Sequence, residues 1–355
     1  ATLIVTAALF WRGTSSFDNL LYDQLSAASR PAADQQILLV TIDDTSLAAL
    51  GKWPWDRSLH ARLIEKLQTK HPRSIALDIL LSESGETDAE LATALSTGPA
   101  PVFLPLHFNT PGNNGRAYDT IAPAPALTTA AKAIGHVNIL FDDDGIVRRT
   151  TLCFRPDLQG TAWPHLMELV YRGSAGQASS AFGADKSCGH ILLIPYASGG
   201  SFTEISYADI LNGDVPDEML SGKDIIIGAT AAGMGDNFPT PNGQGGLLSG
   251  IEIMANMLGT LRRDDFIKPL PTAWIVGLSL LPFWLLLIGS LRCRPRVVLL
   301  MSLLSLVAIL AASAGLLWRH IWFPPGAALL GVLLVYPLWG WRRLQAMSDF
   351  MGYEL

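Results

Sequence analysis

The stretch Ile37 to Ile42, ILLVTI, closed by Asp43 and Asp44, decides how the polar part of the chain is read. It is a continuous apolar run rich in β-formers, the pattern of a strand buried on both faces of a parallel sheet. Ser74 to Leu81 (SIALDILL) repeats the pattern. Between the two, Arg57 to Lys70 places Leu59, Leu63, Ile64 and Leu67 on one helical face. Strand, helix, strand in that order predicts a right-handed parallel crossover.

Working outward, Phe17 to Leu25 has helical spacing and is broken by Arg30 to Asp34. Glu90 to Leu95 reads as a helix and Pro101 to Leu106 as a third strand, inside a Pro-, Gly- and Asn-rich excursion from Pro99 to Pro125. His136 to Leu140 and Val147 to Phe154 read as an antiparallel hairpin joined by a turn at Asp142 to Gly145. Ile191 to Ile194 and Asp224 to Gly228 (DIIIG) are further strands, the latter followed by a Gly-rich loop and a helix near Ile251 to Leu261. No internal repeat occurs. The expectation is one α/β domain, residues 17–265, with a mostly parallel sheet and flanking helices.

Charge separates this domain from the rest. Ala1 to Asp265 holds 29 of the 31 acidic and 18 of the 25 basic residues, a net charge of −11 before histidine. Phe266 to Ser348 has no Asp or Glu, and its charges are Lys268, Arg292, Arg294, Arg296, Arg319, Arg342 and Arg343. Three apolar runs fill it: Thr272 to Leu291, Val297 to Trp318 and Gly326 to Trp341, each close to the roughly 20 residues that span hydrocarbon. They are read as three transmembrane helices over residues 266–341, an all-α part in contact with membrane lipid. Pro282 and Pro337 are compatible with this, since membrane helices tolerate proline. The arginines of Arg292 to Arg296 and the pair Arg342 and Arg343 place those ends in the cytoplasm, so the acidic domain is extracytoplasmic. A multi-pass protein of the bacterial inner membrane is implied.

Ala1 to Trp11 is apolar, uncharged and too short to span. With residues 1–16 it reads as the end of an N-terminal transmembrane helix, or as the remnant of a cleaved signal peptide. Residues 342–355 are read as the start of a cytoplasmic linker, with Leu344, Met347 and Met351 at heptad-like spacing, or as the plain end of the last membrane helix. Cys153 and Cys188 share a compartment and either pair or stay as buried thiols; Cys293 lies on the other side.

Several separated motifs carry a resemblance: Ile42-Asp43-Asp44; Gly51 to Arg57 (GKWPWDR); Ala76 to Ile79 (ALDI) with Glu83; Gly135 to Asn138 (GHVN); Asp142 to Arg149 (DDDGIVRR); Gly228 to Gly233 (GATAAG) with Asp236; and Thr240-Pro241 leading to Gly250 to Asn256 (GIEIMAN). Together they resemble the second type of CHASE domain, the extracellular sensory domains associated with cyclases and histidine kinases. The resemblance implies a homodimeric receptor, three membrane helices after the domain, and a histidine kinase or nucleotide cyclase, as in a two-component system, beyond them. The signal would be an extracytoplasmic small molecule or protein. An envelope structural or assembly protein without an output domain is the alternative from another class.

For chemistry, Asp43, Asp44, Asp78 and Glu83 fall in or just past two predicted parallel strands, where open α/β sheets bind ligands. With Arg57 and Asp236 they are the candidate ligand-binding residues. Converging carboxylates would suit a hard cation or an amine; the competing role is helix capping or pairing with Arg57 and Arg148. Trp53 and Trp55 line a pocket, seat the domain on the membrane, or pack in the core. The loop Gly228 to Gly235 has neither the spacing of a dinucleotide site nor a Gly-Lys-Ser/Thr. No metal-ligand spacing, catalytic constellation or cofactor motif is present, and a domain of charge −11 without a basic stripe disfavours nucleic acid.

Overall fold

The computed structural model describes residues 14–109, 119–156, 161–175, 188–234, 236–241 and 247–353. Ala1 to Trp11 and part of the Pro99 to Pro125 excursion lie outside the described residues. Two compact units result, Arg30–Phe266 and a second one comprising Ala1–Ser29 with Ile267–Leu355.

The first unit follows the order β1 (Ile37–Ile42), α1 (Asp44–Leu50), α2 (Arg57–Gln68), β2 (Ser74–Leu77), α3 (Asp88–Ser96), β3 (Val102–Asn109), β4 (Asp119–Ile121), α4 (Pro125–Ala130), β5 (Ala133–His136), α5 (Leu166–Ala175), β6 (Thr203–Ser206), α6 (Tyr207–Asn212), β7 (Asp224–Ala229), β8 (Asn237–Pro239), β9 (Leu247–Ser249) and α7 (Gly250–Arg263). The main sheet runs β6-β1-β7-β2-β3-β4, with β5 also on β3. All of its ladders are parallel except β3 with β4.

Alternation explains why the central strands are apolar throughout. Leu38, Val40 and Ile42 of β1, with Ile225 and Ile227 of β7, join one core with Leu63, Ile64 and Leu67 of α2. Ile37 and Leu39, with Ile226, join the opposite core with Leu166 and Val170 of α5 and Ile251, Met254 and Leu258 of α7. Successive side chains point to opposite faces and each face is covered, so no position in these strands tolerates a polar residue cheaply. Each such burial contributes about 1.5–3 kcal/mol.

The middle of the domain departs from the expected hairpin. Gly135 and His136 end β5 in the main sheet, and Leu140 meets Arg149 in a single bridge around the Asp142 to Gly145 turn. Residues 149–150 pair instead with 192–193, and 153–154 with 163–164. Cys153 and Cys188 form a disulfide across a sequence separation of 35, with Cα atoms 4.6 Å apart, which resolves the open question of their pairing.

The second unit contains the helix Ser15–Ala28, then α8 (Thr272–Arg292), α9 (Pro295–Leu317) and α10 (Gly326–Tyr353). Helices α8 and α9 are long and apolar enough to cross a membrane; the apolar part of α10, Gly326–Arg342, is shorter. Leu281 of α8 and Leu304 of α9, exposed at 58% and 60%, belong to outward apolar faces that water would not favour. Asp18 accepts from Gly326 N (2.6 Å) and from Thr14 Oγ1 (2.8 Å), so its carboxylate caps α10. Tyr22 packs edge-on against Trp322, ring centroids 5.1 Å apart.

A loop closed by one bridge of this separation contributes about 2–4 kcal/mol. Reduction with a phosphine should therefore lower the melting temperature of the chain, and should leave that of the Cys153→Ser, Cys188→Ser double variant unchanged; calorimetry with and without reductant reads both.

Candidate functional site

All parallel strands of the main sheet end on one edge, and the acidic motif residues collect there. Most of them are already occupied. Asp43 follows β1 and caps α1, its Oδ1 accepting from Ser46 N (2.8 Å), Ser46 Oγ (2.6 Å) and Ser206 Oγ of β6 (3.0 Å). Asp44, in the first turn of α1, is exposed and favours the helix dipole from the surface. Arg57 lies 3.5 Å from Asp88 and donates to the backbone carbonyl of Glu83 (3.1 Å), while the Glu83 residue itself is exposed. Arg57 thus closes the loop after β2 and does not meet Asp43, Asp44 or Asp78.

The other motifs resolve into packing and turn chemistry. Trp55 is buried against Tyr207, centroids 4.9 Å apart, and donates Nε1–H to Gly51 O (2.9 Å), so it belongs to the core. In DDDGIVRR the buried Arg148 binds Asp142 (3.0 Å) and Asp144 (2.8 Å), and Gly145 takes the turn at φ +78°. In GHVN, Asn138 exchanges two hydrogen bonds with the backbone of Phe108 (3.0 and 2.7 Å), and a Cβ at Gly135 would come within 2.8 Å of the Leu166 backbone. In GIEIMAN, Glu252 accepts from Gly200 N and Asn256 from Ala197 N, both at 2.7 Å, which fastens that loop to α7.

Two carboxylates remain, Asp78 after β2 and Asp236 after β7, and each belongs to a segment beside the first turn of α7. A Cβ at Gly228 would stand 2.4 Å from Ile251 Cγ2 and 3.3 Å from Asp78 Cβ. One at Gly250 would stand 2.7 Å from Asp236 Oδ2, and Gly250 N donates to Asp236 O (3.0 Å). The glycines of GATAAG and GIEIMAN are therefore small because carboxylate-bearing segments press on both sides of the helix start. Burial, and then the neighbouring charge of Asp236, pushes the Asp78 carboxyl up to about 8. Burial also raises Asp236. Neither carboxylate has an ion-pair partner among the described residues. No group of three or more His, Cys, Asp or Glu suited to a metal ion occurs among them either.

A family model for the CHASE2 domain matches residues 1–291, which takes in the whole acidic unit and α8 almost to its end. The chain belongs to the CHASE2 domain family. CHASE2 is a sensory domain family of signalling receptors, and a sensory role follows for this chain. No curated protein and no solved structure matches it. Within this CHASE2 domain, Asp78 and Asp236 lie beside the segments that flank the start of α7. Glu204 and Glu252, which extend the acidic edge, are not among the residues singled out from sequence. Glu252 lies inside GIEIMAN, and its position in the first turn of a helix was the available signal.

Adding a methyl at Gly228 should cost about 1–3 kcal/mol, because Ile251 is β-branched and has little freedom to yield. Asp43→Ala should cost about 1 kcal/mol as a lost cap, and Asp44→Ala less than about 0.5 kcal/mol. Urea unfolding of the three variants checks the order.

Proposed function

We propose that this chain is the sensory and membrane-anchoring part of a bacterial transmembrane signalling receptor, in which an extracytoplasmic signal sets the activity of a cytoplasmic output enzyme, a histidine kinase or a nucleotide cyclase. The observation that carries this reading is α7. It starts beside segments that carry Asp78 and Asp236, stays buried along nearly its whole length, and is followed in the chain, after the short strand Lys268–Pro269, by α8, a helix long and apolar enough to cross a membrane. A sensory domain needs an element that couples the signal to the membrane helices, and in this reading α7, which precedes α8 in the chain, is that element.

Three further observations support it. The arginines at Arg292, Arg294 and Arg296 favour a cytoplasmic α8–α9 turn. The disulfide fits an oxidising compartment on the opposite side. The helix α10 runs on past Arg342 to Tyr353, a helical start for a linker. In this reading α10 is the third pass after the sensory domain, and the receptor works as a homodimer in the inner membrane.

Two experiments test it. Cys293 is the free cysteine of the chain. In right-side-out spheroplasts a membrane-impermeant maleimide should leave Cys293 unlabelled and should label a His320→Cys variant; labelling of Cys293 from outside would invert the topology. For signalling, the chain is joined after Leu355 to a nucleotide-cyclase catalytic domain. Asp78→Ala should change cyclase output several-fold while Asp44→Ala leaves it at the wild-type level, and equal output from both would remove the sensory role of this edge.

A further inference from the structure

A small cavity lies against one face of α7, where Gly250, Ile253, Met254 and Met257 form a single helical stripe over about two turns. The opposite wall comes from the segment after β5, from residues 147–150 and from His165. Three of the sequence motifs, GHVN, DDDGIVRR and GIEIMAN, therefore meet at this one place. Its walls are mostly apolar, and the space holds about one water-sized molecule.

The polar groups that line it are donors in want of an acceptor. Met167 N donates to His165 Nδ1 (3.1 Å), which fixes the proton of the neutral ring on Nε2. His165 is 3% exposed, and that Nε2–H finds no acceptor among the described residues. Arg149 meets Asp142 through Nε (2.7 Å), and its two terminal nitrogens have no partner among the described residues. Thr150 Oγ1 reaches the sulfur of Met257 at 3.7 Å, a weak acceptor. Asn138 adds no demand, because its amide exchanges both hydrogen bonds with Phe108. No carboxylate lines the cavity among the described residues, and Asp142 is already held by Arg148 (3.0 Å) as well as Arg149.

From this arrangement we propose that the cavity on α7 binds a small monovalent anion of the size of chloride, held by Arg149, the Nε2–H of His165 and the hydroxyl of Thr150. An anion accepts from all three, and bonds to a charged acceptor are roughly twice as strong as those that a water oxygen accepts. Chloride is somewhat larger than water. Met254 and Met257 are the walls that give way to it, since an unbranched thioether side chain repacks readily. The carboxylate of formate offers the same acceptor chemistry at similar size. An ion so held joins the DDDGIVRR and His165 segments to the face of α7, so it stabilises the folded domain. For its consequence the inference rests on the proposed function, because it names the class of ligand that α7 would report; the binding itself does not depend on that reading.

The test uses the full chain in lipid nanodiscs, with melting followed by tryptophan fluorescence in sodium chloride, sodium formate and sodium gluconate at equal ionic strength. Gluconate is too large for the cavity and serves as the reference. Wild type should melt about 3 °C or more higher in chloride than in gluconate, with a shift that saturates as chloride rises. Arg149→Gln should lose that shift, Thr150→Val should reduce it, and Asp44→Ala on the surface should keep it. A larger shift in formate than in chloride keeps the site and makes its ligand a small carboxylate. Equal melting in the three salts would overturn the proposal, as would an undiminished shift in Arg149→Gln, which would mark a general salt effect. Should Arg149→Gln not fold, broadening of the chloride NMR line by wild type, reversed by bromide, reads binding directly, and its absence sinks the site. A missing shift refutes the anion site and leaves the receptor reading standing; a shift without chloride dependence of the cyclase fusion keeps the site and refutes the anion as signal.

Discussion

The insertion of β7 between β1 and β2 is the constraint on which the rest of the domain depends. β1 and β2 are joined in sequence by a single crossover, but the ladder between them is filled by a strand from much later in the chain. Its far end is tied to both neighbours: Thr230 N and Ala231 N donate to Ile42 O at 3.0 and 2.9 Å, and Asp78 N donates to Ile227 O at 2.7 Å. The start of the turn after β7 is therefore fixed, and Asp236 follows it, its backbone O accepting from Gly250 N at 3.0 Å at the start of α7. Without that insertion, Asp78 would be one more carboxylate at the end of a strand.

The two ends of α7 are held by opposite kinds of chemistry. At its C-terminal end Arg262 binds Asp34 (2.9 Å) and Asp224, and Asp224, 1% exposed, also accepts from Ser74 Oγ (2.6 Å) and faces Arg73. Removing one member of such a network leaves a buried charge alone, so this end is expensive to move. At its N-terminal end the helix meets acidic residues that have no ion-pair partner among the described residues, and two glycines with no spare room. Ser249 caps it, its Oγ accepting from Glu252 N at 3.4 Å, a long bond for a cap.

The fold was largely legible because its strands obey a simple rule. Burial on both faces writes itself as an uninterrupted apolar run, and Ile37 to Ile42 and Asp224 to Gly228 have it. β6 escaped because Thr203 to Ser206 is an edge strand of four residues whose sole buried side chain is Ile205. The hairpin expected around Asp142 to Gly145 failed for a related reason: the turn is real, yet its flanking segments find better partners in β3 and in 192–193, and periodicity within a segment does not name its partner. The site was half legible. Asp43, Asp44, Asp78 and Asp236 all stood out, but a cap, a surface charge and a buried carboxyl look alike until their surroundings are known. Asp43 carried its own clue, since Ser46 three residues on presents the N–H that a capping carboxylate needs.

Histidine is the residue that usually answers to pH near neutrality, and this domain buries three of them. Burial keeps His60 down to about 4 and His165 down to about 3, and it holds His136 well below the usual range, with His165 and His107 adding to the effect. His60 is further committed to Tyr207, its Nδ1 2.9 Å from the hydroxyl, and His165 Nδ1 accepts from Met167 N (3.1 Å), so both are neutral structural groups. The three buried histidines are thereby held out of the range near neutrality, while burial raises the carboxyl of Asp78. Both displacements have the same cause, the cost of taking charge out of water, which lowers a histidine and raises an aspartic acid.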